Sequence, residues 1–359
     1  MSAVQQQQFD ASRAEAFGGR MVGIVNDASL ALMISLGHRT GALEAMAGLD
    51  WAGIDAIADA SNLHPRYVRE WLGAMVTGGV VEFDPETQRY RLPAEHAAVI
   101  TSKAGSHNLA VPMQFIPVMG SVETQLVDAF RHGGGVPYSE FERFHPVMAD
   151  FSDQTVLAGL ENSIIPAVPG LHERLQSGID CVDIGCGSGH AAIRMAELYP
   201  NSRFTGYDFE ERAVNAANEL ARSRGIGNIS FEVRDVADMD ETESFDLVTA
   251  FDVIHDQADP AGVLANVRRM LRSGGVFLMQ DIKACSQLHD NIDHMVGTFL
   301  YTVSTTHCMT VSLANGGAGL GTCWGRELAE RMIGDAGFSS LDTKELSHDP
   351  FNYYYIMHV

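Results

Sequence analysis

Positive charge is scarce in this 359-residue chain: 24 lysines and arginines stand against 46 aspartates and glutamates, a formal charge of −22. A polyanionic partner needs a basic surface, so this balance argues against a nucleic acid as the main ligand. Cysteine is sparse too. The five, at 181, 186, 285, 308 and 323, form no C-x-x-C pair and no even framework. They read as reduced thiols of a cytoplasmic protein. No run of about 18 apolar residues stands out, so no membrane span is expected. Residues 1–10 are polar and glutamine-rich and lack the apolar core of a signal peptide. Apart from Gln5–Gln8 there is no low-complexity tract, and there is no internal repeat. What remains is ordinary for a globular protein, with 46% apolar residues and a length that suits two domains.

The first hundred residues read as helix, helix, helix, hairpin. Residues 17–36 are a mixed apolar helical region. Residues 51–59 and 65–75 are shorter helices around Ser61-Asn62-Leu63-His64, and Gly78-Gly79 ends the last. Two short strands, 80–83 and 89–92, flank the turn Asp84-Pro85-Glu86-Thr87. This is a winged-helix order, with Arg66 and Arg69 on the would-be recognition helix. Yet residues 1–100 carry twelve carboxylates, seven arginines and no lysine. A scaffold or dimerisation module is therefore expected, not a DNA reader.

Residues 101–178 are helical connections interrupted by Pro112, Pro117, Pro137, Pro146 and Pro166. From 179 to 359 strands alternate with helices: 179–184, 203–207, 229–233, 246–251 and 275–281, then 343–346 and 353–359 as a closing hairpin. That alternation predicts an α/β, Rossmann-like parallel sheet covered on both faces. Residues 285–320 interrupt it as an insertion. Within it, Ile292, Met295, Val296, Phe299, Leu300 and Val303 recur at helical spacing, which predicts a helix over a pocket.

The densest signal is Val182-Asp183-Ile184-Gly185-Cys186-Gly187-Ser188-Gly189-His190, a glycine turn between a buried strand and a helix. Alternate glycines let the backbone pass close to a ligand, and the helix start offers free N–H groups. Asp208 stands at the carboxyl end of the second strand, where a carboxylate can bind both hydroxyls of a ribose. Gly-x-Gly-x-Gly is followed by Ala191, not by the third glycine of a dinucleotide site.

Asp183 to Gly189, with Gly206-Tyr207-Asp208, resembles the first motif and partner acid of the class I S-adenosylmethionine (SAM)-dependent methyltransferases. The whole plan is similar to actinobacterial winged-helix small-molecule methyltransferases. It is more distantly similar to plant and polyketide O-methyltransferases and to S-methyltransferases of dimethylsulfoniopropionate synthesis. The resemblance implies a seven-stranded sheet of order 3-2-1-4-5-7-6, SAM as cofactor, a small-molecule acceptor and a homodimer formed through the N-terminal domain. It places Asp183, Gly185, Gly187, Gly189, Asp208, Asp235, Val236, Phe251 and Asp252 around the cofactor. Asp208 and Asp252 can equally be helix caps, and Asp235 a turn former.

His255-Asp256, after the fourth strand, resembles the His-Asp pair that supplies a base in plant O-methyltransferases, although Gln257 replaces the tryptophan that often follows. An imidazole there can take the proton of an attacking hydroxyl, or it can simply pack. Tyr138 and His145 are expected beside the acceptor, with Arg143 for an acceptor carboxylate and Tyr301 from the insertion. His289, His294 and His307 match no familiar metal spacing, so no metal is expected. The leading expectation is methylation of a hydroxyl with His255 as base. The alternative is S-methylation of a thioether or thiol by positioning alone. A SAM-binding or DNA-binding regulator is the rival of another class.

Overall fold

The computed structural model describes residues 9–359; the glutamine tract at 5–8 lies outside the described residues. The chain forms two compact units, Met1–Pro117 and Val118–Val359.

In the first unit a helix spans Ala11–Arg39, longer at both ends than the apolar periodicity predicts. The Asp10 carboxylate caps it by accepting the N–H groups of Ser12 and Arg13, and His38 and Arg39 suit its negative end. Only its last third is packed. Trp71 donates its indole N–H to the Met33 carbonyl at 2.9 Å. Gly37 is required there, since a Cβ would lie 2.6 Å from the Trp71 ring. Shorter helices follow at Ala42–Ala47, Ile54–Ser61 and Pro65–Thr77. Leu43, Ile57, Leu72 and Met75 form the core between them. The hairpin β1 (Glu82–Asp84) and β2 (Arg89–Arg91) completes the winged order. The helix at 42–47 is absent from the sequence reading because six residues are too short to show a period.

The helix Ala11–Arg39 is long and apolar enough, by length and composition, to cross a bilayer, a weak sign that helices of globular proteins also give. Glycines, Arg20 and Asp27 interrupt its apolar residues, so it holds no unbroken apolar run of about 18.

The second unit carries one seven-stranded sheet. Its strands are β3 (Asp180–Ile184), β4 (Arg203–Asp208), β5 (Ile229–Val233), β6 (Phe245–Phe251), β7 (Leu271–Ile282), β8 (Ser340–Leu346) and β9 (Asp349–His358). Their order is β5-β4-β3-β6-β7-β9-β8. Counted from the first sheet strand this is 3-2-1-4-5-7-6, with β9 antiparallel to both neighbours. Both faces are buried, as the apolar runs require. Along β7, Val276 and Leu278 face one core with Leu175 and Met195; Phe277 and Met279 face the other with Leu264 and Ile333. Because β4, β3, β6 and β7 run parallel, their carboxyl ends meet at one sheet edge.

The insertion departs from the predicted single helix. It breaks into a helical turn at Leu288–Asn291, a helix at Gly297–Val303, one π-turn at Ser304–Cys308 and a helix at Met309–Ala314. Ile292 and Met295, expected to face a pocket, are 72% and 88% exposed.

Candidate active site

The glycine turn leaves β3 in left-handed backbone: φ is +61° at Gly185, +51° at Gly187 and +73° at Gly189. The three glycines differ in role. A Cβ on Gly185 would lie 2.6 Å from both methyls of Val253, and one on Gly189 would lie 2.6 Å from the Phe231 ring. Those two glycines permit close packing. Only Gly187 borders open space, with nothing within 4 Å of its missing Cβ. Cys186 packs beside the cluster of Ala192, Ile193 and Phe231.

Two buried aspartates hold the turn. Asp183 accepts the Thr249 hydroxyl at 2.6 Å, and burial pushes its pKa up to about 7. Asp208 accepts the Gly187 N–H at 2.8 Å on one oxygen and the Glu210 N–H at 2.9 Å on the other. Burial raises its pKa, and these two N–H groups oppose the rise. Each carboxylate oxygen can accept twice, so Asp208 keeps capacity for a ligand. It is not a helix cap: Glu210 caps the helix Glu211–Ser223. Asp235 is exposed, and one oxygen caps the turn Val236–Asp238 by accepting the Ala237 N–H at 2.8 Å, while Val236 is buried beneath it.

At the end of β6 the half-buried Phe251 is followed by Asp252 at φ +57°. A non-glycine residue in this region is strained and held by its surroundings. Its N–H donates to the Gln280 carbonyl at 3.1 Å, and one of its oxygens accepts the Gln280 amide at 3.2 Å. It caps no helix, since the turn Ile254–Asp256 starts from Val253. Burial, then the neighbouring Asp281, pushes its pKa up to about 7.

His255 is 2% exposed. Its partner is not the adjacent Asp256. The His255 Nδ1 donates to Asp281 on β7 at 2.9 Å. The same Asp281 oxygen accepts the Trp324 indole N–H at 3.0 Å and the Ile282 N–H at 2.8 Å, so the carboxylate cannot swing. Burial works against charge on the ring, but Asp281, aided by Cys308, outweighs it and holds the pKa well above the ordinary imidazole value. A neutral ring fixed in this way takes a proton at its other nitrogen and keeps it as an ion pair with Asp281; with so high a pKa it must first lose the proton it already carries near neutral pH. Asp281 escaped the sequence reading. Its signal is a charged residue inside the apolar strand Val276–Ile282, which has to be paired.

Tyr138 and His145 join this site. Tyr138 packs against His145 at 4.8 Å, His307 at 5.2 Å, Phe209 at 5.5 Å and Phe144 at 5.7 Å between ring centroids. Burial, then Asp256, Asp208 and Cys308, raises its pKa well above the ordinary value, so the phenol stays protonated as a donor. Burial lowers the pKa of His145, which stays neutral, with a buried Nε2 lacking any hydrogen-bond partner. His307 stacks on Phe144 at 3.5 Å, and neither of its ring nitrogens has a hydrogen-bond partner. His307 and Cys308 arrive on the π-turn, a geometry that often marks functional sites and that no apolar periodicity reveals. The Val136 N–H donates to the Thr310 hydroxyl at 2.9 Å, fastening the Tyr138 loop to the insertion.

Arg143 and Tyr301 are the other two residues expected beside the acceptor. Arg143 precedes the helix Phe144–Ser152 and is partly exposed. The Tyr301 hydroxyl accepts the Asn291 amide at 3.2 Å and borders a cavity of about 640 Å³ lined also by Leu288, Ile292, Thr298 and Thr305. None of those four belongs to the His255 cluster.

Comparison with known proteins bears on the fold that carries this site. Residues 175–331 match the methyltransferase domain family, and residues 28–102 match the Rv2258c-like winged HTH domain. Among curated relatives, 27-O-demethylrifamycin SV methyltransferase of Amycolatopsis mediterranei is 34% identical over 30% of this chain and 40% of its own length. Trans-aconitate 2-methyltransferase of Acidovorax is 30% identical over 31% and 39%. The chain thus spans well under two thirds of these relatives. Among solved structures, a putative O-methyltransferase from Nostoc punctiforme superposes with a TM-score of 0.72 at 18% identity, covering 95% of this chain and 98% of its own. Human N-acetylserotonin methyltransferase, solved with SAM, gives 0.66 at 16% identity, covering 100% and 99%. These likenesses establish the fold over both units. The chain is thus similar to an Rv2258c-like winged HTH domain over residues 28–102 and to a methyltransferase domain over residues 175–331.

Proposed function

We propose that this protein transfers the methyl group of SAM to a hydroxyl of a small molecule, with His255 as the base. The observation that carries this reading is the fixed His255–Asp281 pair, at the same sheet edge as the glycine turn and Asp208. The residues present fit the cofactor. Left-handed Gly187 leaves room for a ligand against the backbone, and Asp208 retains free acceptor capacity beside it. Asp183, Gly185, Gly187 and Gly189 would shape the cradle, Asp208 would hold the ribose, and Asp235, Val236, Phe251 and Asp252 would flank the rest. SAM supplies a methyl group on a positive sulfur.

The chain's own residues supply the remainder. Tyr138 and His145 orient the acceptor by hydrogen bonds, and the aromatic wall of Phe144, Phe209 and His307 excludes water. His255 takes the hydroxyl proton as the oxygen attacks, and Asp281 stabilises the imidazolium that results. S-methylation of a thioether would use the same positioning and leave His255 idle. A panel of small hydroxylated and sulfur-containing metabolites, read by release of S-adenosylhomocysteine, tests the reading. An oxygen acceptor whose turnover falls ~10²- to 10⁴-fold in His255→Ala is expected. Equal turnover in the variant would remove His255 as the base.

The first unit is proposed as the homodimerisation surface and not a DNA reader. Arg66, on the would-be recognition helix, is paired to Glu70 at 2.5 Å.

A further inference from the structure

The His255 cluster gathers more buried carboxyl groups than one imidazole pairs with. Carboxylates of Asp252 and Asp281 lie within 4.8 Å of a His255 ring nitrogen, and Asp256 adjoins the same ring. Asp252 Oδ1 and Asp281 Oδ2 are buried without a hydrogen-bond partner. Buried carboxylates persist where they are paired, protonated or bound to a cation. Soft chemistry is present as well. A ring nitrogen of His255, a carboxylate oxygen of Asp256 and the Cys308 sulfur all lie within 4.8 Å of one another.

We propose that His255, Asp256 and Cys308 form a binding site for a thiophilic divalent cation of the zinc class. Imidazole, thiolate and carboxylate are the ligand types such a cation takes, and three protein ligands leave a fourth position open. The surroundings are those of a metal-bound histidine. One ring nitrogen is held by the Asp281 carboxylate, which Trp324 and Ile282 lock in turn, and the ring's other contact is a hydrogen bond with Cys308, which a cation bound between the two would replace. Bond lengths of ~2.0–2.3 Å bring tetrahedral ligand atoms within roughly 3.5 Å of one another, so the three atoms, at most 4.8 Å apart, draw together on binding. Cys308 sits on the π-turn Ser304–Cys308. On binding, the Cys308 thiol and the His255 imidazolium each give a proton to solvent; the sulfur then bonds the metal as thiolate and the freed ring nitrogen as neutral imidazole.

This site shares His255 with the methyl-transfer reading. A cation on His255 occupies the lone pair that an acceptor proton would need, so it competes with transfer. Cobalt(II) is the probe, titrated into the metal-free full-length protein. A stoichiometric near-ultraviolet thiolate-to-cobalt charge-transfer band is expected, displaced by zinc. Cys308→Ser should abolish the band, and His255→Gln should weaken binding ~10- to 100-fold. Absence of the band in the wild-type protein overturns the proposal, and so does a band that survives in Cys308→Ser. The wild-type result stands even if a variant fails to fold. Calorimetry with SAM on the same metal-free protein separates the two readings: SAM binding without a cobalt band rejects only the metal site, and the reverse rejects only the cofactor.

Discussion

His255 and Asp281 are 26 positions apart, yet they act as one unit, because parallel β6 and β7 end side by side. Asp281→Asn keeps the shape but loses the charge that orients the ring. It should lower turnover ~10- to 100-fold with SAM affinity unchanged, which single-turnover kinetics beside calorimetry would resolve. Cys186 packs beside Ala192 and Phe231, and its thiol donates only a long 3.9 Å bond to the Gly187 carbonyl. Cys186→Ala should therefore keep most activity, and loss of turnover with intact SAM binding would contradict that. The glycines and Asp208 were legible in the sequence because a strand, a turn and the next strand end are local or adjacent in the sheet. Asp256 was the wrong partner for His255 because proximity in sequence is no guide to which carboxylate a ring meets. Asp235 shows the bland and the functional reading side by side: one oxygen caps a turn, and the other remains.

The glycine turn is an element with little tolerance. Gly185→Ala would meet the Val253 methyls at 2.6 Å in left-handed backbone. The backbone penalty is ~1–2 kcal/mol and overpacking adds ~1–3 kcal/mol. Chemical denaturation should show a loss in that combined range, whereas Gly187→Ala, with open space at its Cβ, should show only the backbone part. The strands were legible to within a few residues because runs buried on both faces are unmistakable. The insertion was not. Its apolar spacing suggested one helix, but Gly297 and the π-turn at Ser304–Cys308 interrupt it. The interruption exposes Ile292 and Met295 and turns His307 and Cys308 inward. A single extra residue in a helical turn leaves no trace in periodicity, so the site's sulfur and its second buried imidazole came into view only in three dimensions.

Across the molecule, the winged order follows from the order of elements along the chain, whereas the sheet order was implied by the methyltransferase resemblance; short connections and right-handed crossovers only narrow the alternatives. The long first helix is the exception. Its first two thirds expose Phe17, Val22 and Val25 at 60%, 64% and 64%, an apolar face that its own unit leaves uncovered. A second copy is the expected cover, since oligomers usually close as symmetric pairs. Light scattering should give twice the monomer mass of 38.9 kDa, and Val22→Glu with Val25→Glu should reduce it to one. Duplex DNA should not bind tightly at physiological salt, because a net charge of −22 cannot drive counterion release. The central claim is that the glycine turn and Asp208 hold SAM. Isothermal titration of SAM into the wild-type protein and into Asp208→Ala tests it most directly. Charged hydrogen bonds are worth ~1.5–3 kcal/mol each, so saturable binding that weakens at least ~100-fold in the variant is the expected result. No SAM binding to the folded wild-type protein, or equal affinity in a folded Asp208→Ala, would contradict the account.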